Sequence, residues 1–397
     1  MYRTALALAL LCAGARAAAA QERDSGLEEI AAVDPYTRGA PAALERAGYV
    51  GLGPFALIGE TGTDEVQRTL GEARVLWVET AHFKLGSTLA GYRTGADKRE
   101  EKQLRAELER LAKKFERFAP PRNRLDPWLR LHLFAQRLEE QYAEFMRRFG
   151  FEDRDFVRAE PESPFERSTM GSGPFLGMPE KPTVLLTEGD ATLGRFLGHY
   201  LRLEESGSWR GQLKGASMFL GLSAERLRSQ GYALDAGLHC ALSANLAYNL
   251  VEGFRGYHDS SPEWFKCGLA HWFSRRIDER WTVYARGTTL ELEDDSWRWA
   301  PRVRGLVAHE QALPWEKMLE WKRWEDIDAA GHMLVWSRFD WLLARKSADL
   351  RAFLMGMTEP VLPAAQQELC LRAAFGASAA ELDAQWRESA LRSAPGK

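Results

Sequence analysis

An α+β fold is expected from three features of this chain. Short segments rich in β-branched and aromatic residues, such as Arg74 to Glu79 (RVLWVE) and Thr183 to Thr187, read as strands. Between them lie amphipathic stretches; in residues 97–118, Leu104, Leu108, Leu111, Phe115 and Phe118 recur at offsets of three and four and form one apolar stripe. From about residue 305 to 395 the pattern is helical almost throughout.

Taken in order, the chain opens on a segment with the features of a signal peptide. Arg3 supplies a positive start, Ala5 to Ala13 is apolar but too short to span a bilayer, and Ala18-Ala19-Ala20 before Gln21 is a small-residue cleavage site. Residues 1–20 are thus expected to be removed on export to a periplasmic or secreted location. Residues 21–70, rich in Gly, Ala, Pro and Asp, read as a loosely ordered lead-in with one short helix near Ala42 to Arg46. Pro120-Pro121 stops the 97–118 helix. Leu129 to Phe134 (LRLHLF) alternates and reads as a strand, followed by a second amphipathic helix to Arg148, closed by Gly150. Residues 151–181 form an irregular stretch of Pro, Gly and Ser. Ser217 to Leu222 is a further strand, and Trp281 to Arg286 another. Two helices are expected at 234–252 and 262–277. The domain organisation is then a mixed α+β domain over 71–290 and a mostly helical C-terminal part over 291–397.

Composition excludes some functions. The 397 residues are 45% hydrophobic and 27% charged, with a net charge of −3, so nothing favours a nucleic-acid partner or an acidic membrane. No stretch after the N-terminus reaches the ~20 apolar residues of a transmembrane segment. The echoing segments Gly51 to Phe55 (GLGPF) and Gly171 to Phe175 (GSGPF) are not phosphate loops, because no Lys-Ser/Thr follows. There is no Gly-x-Ser-x-Gly nucleophile elbow. Of the four cysteines, Cys12 lies in the leader. Cys240, Cys267 and Cys370 remain, which allows at most one internal disulfide. Cys370, on a C-terminal helix, reads as a buried thiol.

The informative region is Leu238 to Phe273, LHCALSANLAYNLVEGFRGYHDSSPEWFKCGLAHWF. Pro262, Trp264, Gly268, Leu269, Ala270 and Phe273 stand at the spacing of the Pro-x-Trp-Leu-x-Glu-Gly-Leu-Ala-x-Tyr-Phe signature of peptidase-MA-like gluzincins, and the segment resembles that family. His82-Phe83-Lys84-Leu85 is similar to the family's early strand-end segment. Gly376 to Leu382 with Trp386 is similar to its closing helix, whose start Ser378 and Glu381 would cap. The resemblance runs over about residues 74–390. It implies a zincin-like fold, with a small sheet, two active-site-type helices and a helical C-terminal part. It also implies zinc-peptidase chemistry, in which two His and a Glu hold the metal and a second Glu activates water.

The departures remove most of that chemistry. His239 matches the first ligand. Cys240 replaces the general base, Ser243 the second histidine and Cys267 the third ligand, while His271 stands where the second helix often carries an acid. A serine hydroxyl is a poor neutral donor, and no carboxylate on the first helix is left to take a proton from water. Three readings of the remnant stay open. His239, Cys240, Ser243, Cys267 and His271 are refilled core positions. Alternatively, Cys240 and Cys267, which replace two glutamates converging on one metal, form a disulfide worth about 3 kcal/mol. Alternatively, His239, Cys267 and His271 make a rebuilt Cys-His-His site for zinc or copper.

The implied function is that of an exported, catalytically inactive pseudopeptidase, without cofactor, binding a protein, peptide or cell-envelope ligand through the old cleft. The alternatives are a metal-dependent hydrolase with a rebuilt zinc site and a structural component of the envelope. Outside the remnant, His258-Asp259, the acidic run Glu291 to Asp295, and Trp297 with Trp299 are candidate ligand surfaces among the 14 tryptophans. Trp336 and Trp341 fit a core pattern.

Overall fold

The computed structural model describes residues 31–392, apart from residues 72, 117, 157–172, 214–216, 255–260, 283–296 and 358–361. The expected leader, the Trp281 to Arg286 strand beyond Thr282, the His258-Asp259 pair and the Glu291 to Asp295 run lie outside the described residues. The fold is α+β, with one mixed six-stranded sheet and fourteen α-helices among the described residues. The chain divides into two compact units. One holds the chain up to Glu140 together with Lys181–His239; the other holds Gln141–Glu180 and Cys240 onward. The division falls inside two long helices.

The first unit contains α1 (Pro41–Ala47), β1 (Tyr49–Leu52), the pair β2 (Ala56–Ile58) and β3 (Thr61–Gly62), α2 (Thr63–Leu70), β4 (Leu76–Thr80) and β5 (Lys84–Ser87). Next come β6 (Tyr92–Arg93), α3 (Lys98–Ala112), β7 (Arg124–Leu125) and the first part of α4 (Pro127–Phe149). After β8 (Thr183–Thr187) follow α5 (Asp190–Phe196), β9 (Trp209–Leu213), β10 (Ser217–Ser223), α6 (Ala224–Ser229) and the start of α7 (Asp235–Phe254). The sheet order is β1-β4-β5-β8-β10-β9. The pairs β5–β8 and β8–β10 are parallel and the others antiparallel. Strands β8 and β10 are buried along their whole length, which matches their mainly apolar centres. Over one face, Val66 and Leu70 of α2 and Leu193 and Phe196 of α5 pack with Trp77, Leu185 and Phe219 of the sheet.

Helices α3 and α4 are joined by buried ions. Asp97 caps α3, accepting from the amides of Arg99 and Glu100 at 2.9 Å each. On α4, Arg130 and Arg137 both donate to Asp235, at 2.8 Å each, and Arg137 also donates to Glu107 of α3 at 2.7 Å. All four side chains are at most 6% exposed. Burial alone would raise the Asp235 pKa, but the Arg137 and Arg130 guanidiniums hold it below the ordinary value of 3.8.

Several expectations are corrected. Leu129 to Phe134 is not a strand but the first turns of α4. Pro127 sits in the first turn and Asp126 accepts from the Leu129 amide at 3.0 Å, so the helix start is well made. Its period is hidden because Leu129, Leu131, Leu133 and Phe134 are buried together with the polar Arg130 and His132. The 97–118 helix ends at Ala112; Phe115 and Phe118 leave its axis to pack on Tyr36, with ring centroids 5.6 and 5.7 Å away. Residues 31–70 are ordered rather than a loose lead-in. Strand β1 is the sheet's edge, Leu57, Val66 and Leu70 enter its core, and buried Asp34 meets His132 at 3.1 Å. Gly and Pro in this stretch make turns between packed elements.

The second unit contains the end of α4, most of α7, and α8 (Glu263–Ile277), α9 (Trp299–Ala308), α10 (Trp315–Met318), α11 (Ala329–Leu343), α12 (Ser347–Gly356), α13 (Ala364–Phe375) and α14 (Ala379–Arg392). Gly150, at φ 65°, ends α4 as expected of a helix-stopping glycine. The expected capping box of α14 is formed: Ser378 and Glu381 exchange backbone-to-side-chain bonds of 2.7 and 3.2 Å. Trp386 is buried on this helix beneath the Arg338 guanidinium, which also pairs with Asp383. No helix among the described residues is long and apolar enough to cross a membrane.

Replacing Asp235 with Asn removes the anion that Arg130 and Arg137 share, leaving Arg137 only Glu107, and should cost about 3–5 kcal/mol in urea unfolding. Since the folded pKa is lowered, the native contribution is complete above about pH 4 and is lost as the pH falls through the folded value. The acid limb of a stability-versus-pH series should therefore be shallower in Asp235→Asn than in the parent; coincident limbs would contradict this.

Candidate functional site

Of the positions singled out in the sequence, His239, Cys240 and Ser243 fall on α7 and Cys267 and His271 on α8. His239 belongs to the first unit, where its Nδ1 lies 3.7 Å from Glu107. It is 9% exposed, and burial with the nearby Arg137 and Arg110 charges pushes its pKa well below the usual histidine range, so the ring is neutral. Cys240 is wholly buried, with its Sγ 3.4 Å from the Ser274 carbonyl and 3.7 Å from that of Asp278. Ser243 is 2% exposed, and its carbonyl accepts from Gln141 at 2.8 Å.

Helix α8 is buried at every residue from Glu263 to Arg275. Its polar side chains are therefore met by other protein groups. Glu263 accepts from Tyr248 at 3.0 Å, and Lys266 lies between Glu263 and Glu252 at 3.1 and 3.3 Å. Cys267 and His271, four apart, share one face of the helix. Both turn to His332 of α11. Cys267 Sγ is 3.4 Å and His271 Nε2 3.0 Å from His332 Nδ1. Asp328 caps α11 through the Gly331 amide at 2.6 Å and places His332 in the first turn. The two helices meet closely because Gly268 has no side chain; a Cβ there would lie 2.6 Å from the Phe339 ring. Gly268 of the family-like segment thus has a packing role in this chain.

Among the described residues, Cys267, His271 and His332 are the one group of His, Cys, Asp or Glu with metal-ligand spacing, their donor atoms all within 4.8 Å of one another. All three are at most 1% exposed. Burial pushes the Cys267 thiol up and both imidazoles down, His332 to about 3. With no ion bound, the group is a thiol and two neutral rings. Its walls are aromatic: the Trp324 ring is 4.7 Å from His332, and the Trp299 ring 5.0 Å from His271.

The expected residues are therefore only partly brought together. Of the candidate ligands His239, Cys267 and His271, the last two lie together with His332, while His239 lies beside Glu107. The expected Cys240–Cys267 disulfide is not formed; all three described cysteines are free and buried, and the two sulfurs face different partners. Trp299 is a wall of the cluster at 1% exposure, covered by the Arg275 guanidinium 3.8 Å above its ring, and is not a surface residue. Trp297 is partly exposed, and its carbonyl accepts from Arg275 at 2.7 Å. His332 lies far along the chain from His271; its signal in the sequence is a histidine in the capped first turn of an otherwise apolar helix. In comparisons with known proteins, the chain matches no family model and no curated protein.

A native chain lacking residues 1–20 should react negligibly with a thiol reagent and should show three thiols once denatured; one thiol would restore the disulfide reading. Gly268→Ala should lower stability by about 1–3 kcal/mol in chemical unfolding through overpacking against Phe339.

Proposed function

We propose that this chain is an exported, non-catalytic relative of the gluzincin peptidases that acts by binding or scaffolding a protein, peptide or cell-envelope ligand. The observation that carries this reading is the state of Cys240. At the position where a gluzincin has its general base, this chain has a wholly buried thiol directed at two main-chain carbonyls. Such a group cannot take a proton from a zinc-bound water, and burial at Ser243 and Cys267 removes the other two positions from solvent. The α+β order of elements and the capped closing helix support the ancestry; the changed ligand positions support the loss of hydrolysis.

Purified chain incubated with zinc and casein should give no cleavage above background. Cleavage that a chelator abolishes would overturn the non-catalytic reading. For the ancestry, the triple reversion Cys240→Glu, Ser243→His, Cys267→Glu should take up one zinc per chain if these positions descend from a metal site, and failure of a folded triple variant to take up zinc would count against it.

A further inference from the structure

We propose that Cys267, His271 and His332 form a buried structural site for a soft monovalent ion, copper(I), inside the second unit. This goes beyond the binding reading above and stands independently of it. The donors are one thiolate sulfur and two imidazole nitrogens, which suit copper or zinc and not calcium or magnesium. Bonds of about 2.0 Å to nitrogen and 2.3 Å to sulfur place donor atoms roughly 3.3–3.7 Å apart. The observed 3.0 and 3.4 Å to His332 Nδ1 need only a few tenths of an ångström of opening, and Cys267 Sγ and His271 Nε2 lie within 4.8 Å of each other.

Two further observations choose between copper(I) and zinc(II). The first is the number of donors. Zinc in structural sites takes four, whereas the group has three members among the described residues, which suits a three-coordinate ion. The second is charge. Copper(I) with one thiolate is neutral, whereas zinc(II) would leave a net positive charge among fully buried residues walled by Trp299 and Trp324. The nearest acid on the same helix, Glu263, is already paired with Lys266 and Tyr248.

Binding exchanges one proton for one ion. The Cys267 S–H bond breaks, its proton goes to solvent, and an S–Cu bond forms. His271 binds through Nε2 and His332 through Nδ1, so their protons reside on His271 Nδ1 and His332 Nε2; no electron is transferred. The ion would replace the present hydrogen bonds by bonds that tie α8 to α11.

The test uses the full chain without residues 1–20, made metal-free and kept anaerobic with a reductant. It is titrated against a coloured copper(I)–bicinchoninate complex, and separately against zinc(II) with a chromogenic chelator. One copper(I) per chain should be withdrawn from the dye, with a rise in thermal midpoint. Cys267→Ser and His332→Ala should each weaken the uptake at least about 100-fold, beyond the usual effect of losing an outer hydrogen bond. Should those variants fail to fold, Cys240→Ser/Cys370→Ser leaves Cys267 as the sole thiol and should still bind one copper(I). No uptake by the parent, or loss of uptake in that double variant, overturns the site. Zinc(II) bound in preference to copper(I) overturns the choice of ion.

Discussion

The second unit depends on the burial of α8 from Glu263 to Arg275. A helix that meets protein on every face cannot leave a polar side chain to water, and each unmet group would cost about 1–3 kcal/mol or more. The partners of Glu263, Lys266, Cys267, His271 and Arg275 follow from this requirement. Lys266 is enclosed by two carboxylates, Arg275 by main-chain carbonyls and aromatic rings, and the Cys267–His271 face by His332. A cluster of soft ligands arises because the helix needed a polar partner there. Once formed, it has the donors of a metal site. Hydrogen bonding and ion binding are alternative ways to satisfy the same three atoms.

In the first unit the equivalent requirement falls on Asp235. Two arginines of α4 and, through Arg137, a glutamate of α3 share a site that excludes water. Buried ions of this kind add little net stability compared with apolar packing, but breaking one is costly. Their effect is to fix which residue begins α7 and hence where its successive side chains point. His239, one turn further on, is carried to Glu107 by that start. A histidine so placed, neutral and beside a carboxylate already held by Arg137, serves the core of its unit.

The legible parts of the fold were those set by local chemistry. Gly150 and the Ser378–Glu381 box mark helix ends by backbone angles or hydrogen bonds that involve only neighbours. Strands β8 and β10 are rich in apolar residues and buried along their whole length. Leu129 to Phe134 misled because α4 buries both its apolar and its polar residues, which erases the contrast on which periodicity depends. The stretch before residue 70 misled for the opposite reason: its composition is loop-like, while its few apolar residues are core.

The same division holds at the site. That Cys267 and His271 share a helical face follows from their spacing of four. Which groups face them did not follow. His332 joins them because α8 and α11 approach closely at Gly268, a contact between segments far apart in the chain. Cys240 and Cys267 are not bridged because helix packing turns each sulfur to a different neighbour. Local sequence carries the helix ends and the face a residue occupies. The partner across the interface is a property of packing, in which distant side chains compete for the same volume.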